Sequence, residues 1–165
     1  MSAVPAGGRL LLPMGVAQLD AVMAVETAAY EFPWTRGNFV DSLASGYAAR
    51  LLYDDDGTLL GYFVAMAGVD EMHLLNITTV PAHQHRGHAR FMLDALAGLC
   101  RQRGALRLWL EVRRSNPRAQ SIYRRRGFVE VGVRKGYYPA PQGQREDALV
   151  MSLEIAPAGG GDALD

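Results

Sequence analysis

The sequence predicts a mixed α/β fold, and three observations carry that prediction. Strand-like and helix-periodic stretches follow one another as strand, two helices, three strands, helix, strand, helix, two strands. Asp54-Asp55-Asp56-Gly57 lies between two strand-like runs, and Asp-Gly in that place marks a hairpin and hence an antiparallel pair. A helical stretch separates the fourth and fifth strand-like runs, which implies a right-handed crossover between parallel neighbours. The expected architecture is a central mixed sheet of about seven strands flanked by about four helices. With 165 residues and no repeat or internal linker, residues 9–155 are expected to form one domain. A chain of that size buries roughly two-thirds of its unfolded surface without disulfides or metals.

Residues 1–8 and 156–165 hold few packing residues and are expected to be flexible tails. Arg9 to Leu12 reads as the first strand. Val16 to Tyr30 carries Val16, Leu19, Val22, Met23 and Glu26 at helical spacing, and Phe39, Val40 and Leu43 mark a short second helix. The Pro-broken aromatic segment Glu31-Phe32-Pro33-Trp34 separates them. Tyr47 to Tyr53 and Leu59 to Ala67 are the hairpin strands, and the β-branched stretch Met72 to Val80 is the fourth. From Arg90 to Gln102, Met92, Leu93, Leu96, Ala97, Leu99 and Cys100 recur with helical period. Leu106 to Val112 is the fifth strand. Pro117 then suits a first helical position with Asn116 as its N-cap, and Gly127 stops that helix. Phe128 to Arg134 and Ala148 to Leu153 complete the sheet.

Net charge is zero but unevenly spread. Residues 83–135 hold 13 Lys/Arg against Asp94, Glu111 and Glu130, a balance of +10; the rest holds 4 basic and 14 acidic residues, a balance of −10. The basic segment suits a phosphate-rich ligand. Its arginines interleave with amphipathic helices, so solvated helical faces explain them and no direct nucleic-acid binding is expected. The single cysteine, Cys100, falls on an apolar helix face as a small hydrophobe. No apolar run approaches the ~20 residues of a membrane span, and Met1 to Leu10 lacks a basic segment followed by an apolar core. A cytoplasmic protein without membrane contact is expected. His73, His83, His85 and His88 have no Cys or carboxylate at ligand spacing, so no metal is expected.

Between the fourth strand and its helix lies Gln84-His85-Arg86-Gly87-His88-Ala89. A tight turn opening a helix aims free N–H groups at one point, at the positive end of the helix dipole, and Gly87 lets a ligand approach without a Cβ in the way. Phosphate is the natural guest. An ordinary strand-to-helix turn is the other reading of Gly-x-Ala alone. A P-loop would need Gly-Lys-Ser/Thr, which is missing. A Rossmann fingerprint would need three glycines and an acidic residue at a strand tip, whereas Glu111 lies inside its strand.

Period two on the fifth strand puts Leu108, Leu110 and Val112 on one face and Trp109 and Glu111 on the other. A carboxylate in a central strand must be solvated, paired or functional, and an ion pair with a nearby arginine is the plain alternative to chemistry. Tyr123 shares a helix face with Ala119 and Ile122, where a core aromatic is the default.

Gln84-x-x-Gly87-x-Ala89 after a strand resembles the pyrophosphate loop of GNAT acetyltransferases, which bind acetyl-coenzyme A. Asn76-Ile77, Leu108-Trp109-Leu110-Glu111-Val112-Arg113, Ser115-Asn116, Tyr123, Gly127-Phe128, Tyr137-Tyr138-Pro139, Arg145-Glu146-Asp147-Ala148, Met151 and Phe32-Pro33-Trp34 extend the likeness to RimI-type N-terminal acetyltransferases, from Leu10 to Ile155. The resemblance implies a GNAT fold with splayed parallel fourth and fifth strands. It implies Glu111 as general base and Tyr123 as general acid. Ile77, Thr78 and Thr79 would meet the acetyl and pantetheine part of the coenzyme. His85, Arg86, Gly87, His88, Ala89 and Arg90 would meet the pyrophosphate, and Asn116 would also contact the coenzyme. Phe32, Pro33, Tyr137 and Tyr138 would line the peptide entrance. The loop departs from the family pattern in His85 and His88, where Arg and a small aliphatic residue are frequent, and Thr78-Thr79 replaces a more apolar pair.

That resemblance implies an enzyme using acetyl-coenzyme A as co-substrate to acetylate a protein N-terminus. The family's usual target is the N-terminal alanine of the eighteenth protein of the small ribosomal subunit. Other N-termini, lysines or small amines are the rival substrates, and a non-catalytic coenzyme-binding or ribosome-assembly module is the rival class. A monomer or weak dimer is expected.

Overall fold

The computed structural model describes residues 8–157. The expected tails therefore lie outside the described residues, save for Gly8, Ala156 and Pro157. Seven strands form one sheet in the order β1-β2-β3-β4-β5-β7-β6. They are β1 (Arg9–Pro13), β2 (Ala48–Asp54), β3 (Leu59–Ala67), β4 (Glu71–Thr79), β5 (Arg107–Arg113), β6 (Val129–Pro139) and β7 (Arg145–Glu154). The α-helices are α1 (Leu19–Ala29), α2 (Arg36–Ala44), α3 (His88–Gln102) and α4 (Pro117–Arg126). No helix among the described residues is long and apolar enough to cross a membrane. The chain divides into two compact units, Met1–Met66 with Asn76–Met92 and Ala67–Leu75 with Leu93–Asp165.

In the first unit β1 pairs antiparallel with β2, and β2 with β3. The expected hairpin is present. Asp54 Oδ1 accepts from the N–H groups of Asp56 and Thr58, both at 2.9 Å, and Gly57 takes φ +83°. The first helix begins three residues later than its apolar period suggests. Val16–Gln18 form a 3-10 turn, tied by a 2.7 Å bond from the Gly15 N–H to the Gln18 side chain. Thr35 caps α2 by accepting from the Asn38 N–H at 3.1 Å. Leu19, Val22, Phe39, Leu52, Tyr62 and Val64 are fully buried. Gly61 is where β3 passes the end of β4: a Cβ there would stand 2.5 Å from the Thr78 carbonyl oxygen, so no other residue fits without displacement.

In the second unit the ladder of β4 with β5 is parallel and runs from Glu71↔Arg107 to Leu74↔Leu110. Beyond it, β5 pairs antiparallel with β7 along its full length, and β7 with β6. Leu108, Leu110 and Val112 are buried as their alternation requires. Asn116 caps α4 through the Ala119 N–H at 3.1 Å, and Gly127 closes it with φ +114°. The last two strands are longer than their apolar pattern. Charged side chains extend them: Arg145 donates to the carbonyls of Gly136 (3.0 Å) and Tyr137 (2.9 Å), and the Gly136 N–H donates to Asp147 Oδ1 at 2.9 Å. Cys100 is fully buried, which pushes its thiol up to about 11.

Candidate active site

The glycine loop lies in the first unit. After β4 the chain makes a 3-10 turn at Pro81–His83 and then reverses through His85 (φ +65°) and Gly87 (φ +81°) into α3. The helix starts at His88, two residues before its apolar pattern. Its first hydrogen bond runs from the Phe91 N–H to the Gly87 carbonyl at 3.0 Å, so the N–H groups of His88, Ala89 and Arg90 precede the ladder. A Cβ on Gly87 would meet nothing within 4 Å. Open space, the N–H groups at the helix start and the basic side chains of Arg86 and Arg90 together fit a phosphate-bearing ligand.

Arg9 braces this loop, a role with no local sequence signal because 78 residues separate the partners. Its guanidinium donates to the Gly87 carbonyl at 3.3 Å, reaches His88 Nδ1 at 3.4 Å, and lies 4.3 Å over the Phe91 ring. Arginine only donates, so Nδ1 of His88 accepts and the imidazole is neutral with its hydrogen on Nε2. Its surroundings favour the same neutral form: burial, then the charges of Arg9, His83 and Arg86, hold His88 below the ordinary histidine value.

Along β4, Ile77 and Thr79 are half-buried while Thr78 turns to the opposite, buried face. There the Thr78 hydroxyl donates to Asn76 Oδ1 at 2.8 Å and meets the Tyr30 hydroxyl at 2.6 Å. Its side chain is thus committed inward. Burial pushes the Tyr30 phenol up to about 12. At the centre of this cluster sits Glu26, 1% exposed. It accepts from the Tyr62 hydroxyl at 2.6 Å, from Asn76 Nδ2 at 3.2 and 3.4 Å, and from the Trp34 N–H at 2.9 Å. The Trp34 bond anchors Phe32-Pro33-Trp34, leaving Phe32 at the surface. Glu26 was not among the expected site residues, although its place in phase with Leu19 and Val22 was the available signal for a buried carboxylate.

The second unit holds the catalytic candidates. The Glu111 side chain is only 5% exposed. Its Oε1 lies 2.7 Å from His73 Nε2. Oε2 lies 3.1 Å from Arg134 Nε, but the donor is not aligned on it, and Oε2 makes no hydrogen bond. We read the Arg134 contact as Coulombic only, since a donor aimed elsewhere leaves the lone pairs free. The His73 ring lies flat on Trp109, centroids 3.6 Å apart and planes 9° apart, and Trp109 Nε1 donates to Glu71 at 2.7 Å. Pairing and an available basic oxygen, opposed alternatives in the sequence, therefore coexist on one carboxylate.

Tyr137 and Tyr138 sit edge to face at 4.9 Å, with the Arg113 guanidinium 4.4 Å over the Tyr138 ring. Burial, then the negative charge of Glu111, raises both phenols above the ordinary tyrosine value. Glu146 accepts from Arg113 and from the Ser115 N–H, each at 2.8 Å. A hydrogen bond from the Ser115 side chain foremost, with lesser help from Arg113 and the Ser115 N–H, holds Glu146 below the usual carboxylate range. These bonds tie the start of β7 to the turn carrying Asn116. Tyr123 lies on α4, 9% exposed, its ring 5.7 Å from Phe128.

Comparison with known proteins gives a consistent result. The model of the acetyltransferase (GNAT) family matches residues 19–128. A [ribosomal protein bS18]-alanine N-acetyltransferase of Haemophilus ducreyi is 37% identical over 136 residues, 82% of this chain and 93% of that protein. Its counterpart in Escherichia coli strain K12 is 36% identical over 138 residues, 84% of this chain and 92% of that protein. The crystal structure of the ribosomal-protein-S18-alanine N-acetyltransferase from Escherichia coli superposes with a TM-score of 0.83 at 33% identity, covering 93% of this chain and 97% of that one.

Proposed function

The chain belongs to the GNAT acetyltransferase family, and from that premise we propose that it moves an acetyl group from acetyl-coenzyme A to the α-amine of the N-terminal alanine of ribosomal protein bS18. The observation that carries the chemistry is the buried Glu111 carboxylate with one oxygen bonded to His73 and the other without a hydrogen bond. The relatives' names support the substrate.

The coenzyme supplies the acetyl group as a thioester. The N–H groups opening α3 and the loop residues His85, Arg86, Gly87, His88, Ala89 and Arg90 hold its pyrophosphate, and Asn116 contacts it as well. Ile77, Thr78 and Thr79 meet the pantetheine through their backbone, since the Thr78 hydroxyl is engaged inward. An α-amine has a pKa of about 8, so roughly a tenth is neutral at pH 7, against less than one in a thousand for lysine. Oε2 of Glu111, directly or through water, takes the remaining proton. The Tyr123 hydroxyl gives one to the departing sulfur. Tyr137 and Tyr138, whose phenols are raised, stay protonated and bind peptide, as do Phe32 and Pro33. In this reading the enzyme is cytoplasmic, acts as one domain over residues 9–155, and works as a monomer or weak dimer.

The test is acetyl-coenzyme A with peptides beginning as bS18 does, read by mass spectrometry. Acetyl is expected on the alanine nitrogen, and Glu111→Gln should slow turnover about 100-fold or more with little change in coenzyme affinity. Acetylation confined to lysine side chains would overturn the substrate, and an active Glu111→Gln variant would overturn the base.

A further inference from the structure

His73 lies on β4 and belongs to none of the coenzyme, peptide or catalytic groups assigned above. It is nonetheless the most rigidly held partner of Glu111. The residue is 9% exposed, its ring is stacked on Trp109, and Glu71 fixes Trp109 in turn. The bond from Nε2 to Oε1 is 2.7 Å. A carboxylate offers only lone pairs, so an unprotonated Nε2 would face it in repulsion; Nε2 therefore carries a hydrogen and donates it. Arg134, the other neighbour of the carboxylate, has a side chain 48% exposed and no aligned donor. Carboxylate torsions are broad and roughly twofold, so a hydrogen bond to one oxygen is what fixes their orientation, and on Glu111 that bond comes from His73.

We propose that His73 is the positioning residue of the general base: its Nε2–H occupies Oε1 and so reserves Oε2 as the oxygen that takes the amine proton. The inference rests on Glu111 being the base. Displacing a reacting group by about 1 Å lowers a rate by roughly 100-fold, so a Glu111 carboxylate left to rotate would lose turnover.

Two substitutions separate positioning from packing. His73→Leu keeps bulk and removes the donor; His73→Gln keeps an N–H near the position of Nε2. With the full chain, kcat, peptide KM, coenzyme affinity and melting temperature are measured for both, and for each combined with Glu111→Gln. Leu should lower kcat by about 10- to 100-fold with KM and coenzyme affinity within about threefold, and Gln should recover most of it. In the Glu111→Gln background His73→Leu should cost almost nothing further, since it acts through the missing base. Where His73→Leu gives no folded protein, His73→Asn replaces it, whose shorter amide cannot span to Oε1. A donor-free variant at the wild-type rate per folded molecule, or an undiminished further loss on Glu111→Gln, overturns the proposal while leaving the base intact. An active Glu111→Gln variant instead overturns the reading beneath it.

Discussion

Glu26→Gln removes one charge at constant shape from the most enclosed polar cluster of the first unit. Oε1 accepts from Tyr62 and Asn76, and Oε2 from Asn76 and the Trp34 N–H. Glutamine has one acceptor oxygen. Oriented toward Tyr62, its amide nitrogen confronts the Trp34 N–H; flipped, it confronts the Asn76 amide. A buried donor loses its acceptor either way, at about 1–3 kcal/mol, and the surviving bonds fall to about half their charge-assisted strength. An amide is cheaper to bury than a carboxylate, which offsets part of this. Three donor groups making four contacts on one carboxylate at 1% exposure decide the sign, and the net loss should be about 2–4 kcal/mol. Urea denaturation should show the midpoint falling at unchanged m-value. Peptide KM should rise severalfold while coenzyme affinity holds, because the Trp34 bond anchors Phe32 and Pro33. A variant as stable as the parent, or more so, would refute the reasoning, since it would mean that desolvation of the carboxylate outweighs its hydrogen bonds.

Tyr123→Phe keeps the ring against Phe128 and should cost at most about 1–2 kcal/mol, yet slow single-turnover acetylation about 100-fold. A Phe variant at the parent rate removes Tyr123 from the proton transfer. Gly87→Ala places a methyl in open space at φ +81°, so it should cost about 1 kcal/mol of backbone strain and weaken acetyl-coenzyme A about tenfold or more by calorimetry. Unchanged affinity would take Gly87 out of the coenzyme contact. His88 is held below the ordinary histidine value, so as pH falls below about 6.5 the unfolded chain takes up that proton first and stability declines. Denaturation at pH 7.5 and 5.5 should show that decline, and His88→Asn, which keeps an acceptor for Arg9, should reduce it.

Local chemistry was legible in the sequence wherever a residue's partner lay close along the chain. The hairpin turn at Asp54–Gly57, Asn116 capping α4 and Gly127 ending it are features set within about five residues, and each was expected. Period two on β5 placed Glu111 opposite the buried leucines because that strand is packed on one face. What failed to show were partners brought together by the sheet. His73 and Glu111 are 38 residues apart, Glu26 and Asn76 are 50, and Arg9 and His88 are 79. Among four histidines nothing marked His73, and its lack of a carboxylate at ligand spacing concealed one across the sheet. The extension of β6 to Pro139 was equally silent, since Arg145 and Asp147 hold it and its own residues are mostly exposed. Element starts slipped by two or three residues at α1 and α3, where a 3-10 turn and a glycine loop interrupt the apolar period.

Every turnover of the proposed reaction releases a free thiol beside a protein that itself owns one sulfhydryl. Cys100 has no exposed surface, and burial pushes it to about 11. Near neutral pH only about one molecule in 10⁴ would carry the thiolate that disulfide exchange requires. Mixed disulfides between enzyme and spent coenzyme therefore have no foothold in the folded chain. The same inertness makes the protein a clean host for labelling: a cysteine introduced at a surface position such as Val69, which is 88% exposed, would react with maleimide dyes alone. Such a single-site label would not require Cys100 to be removed first.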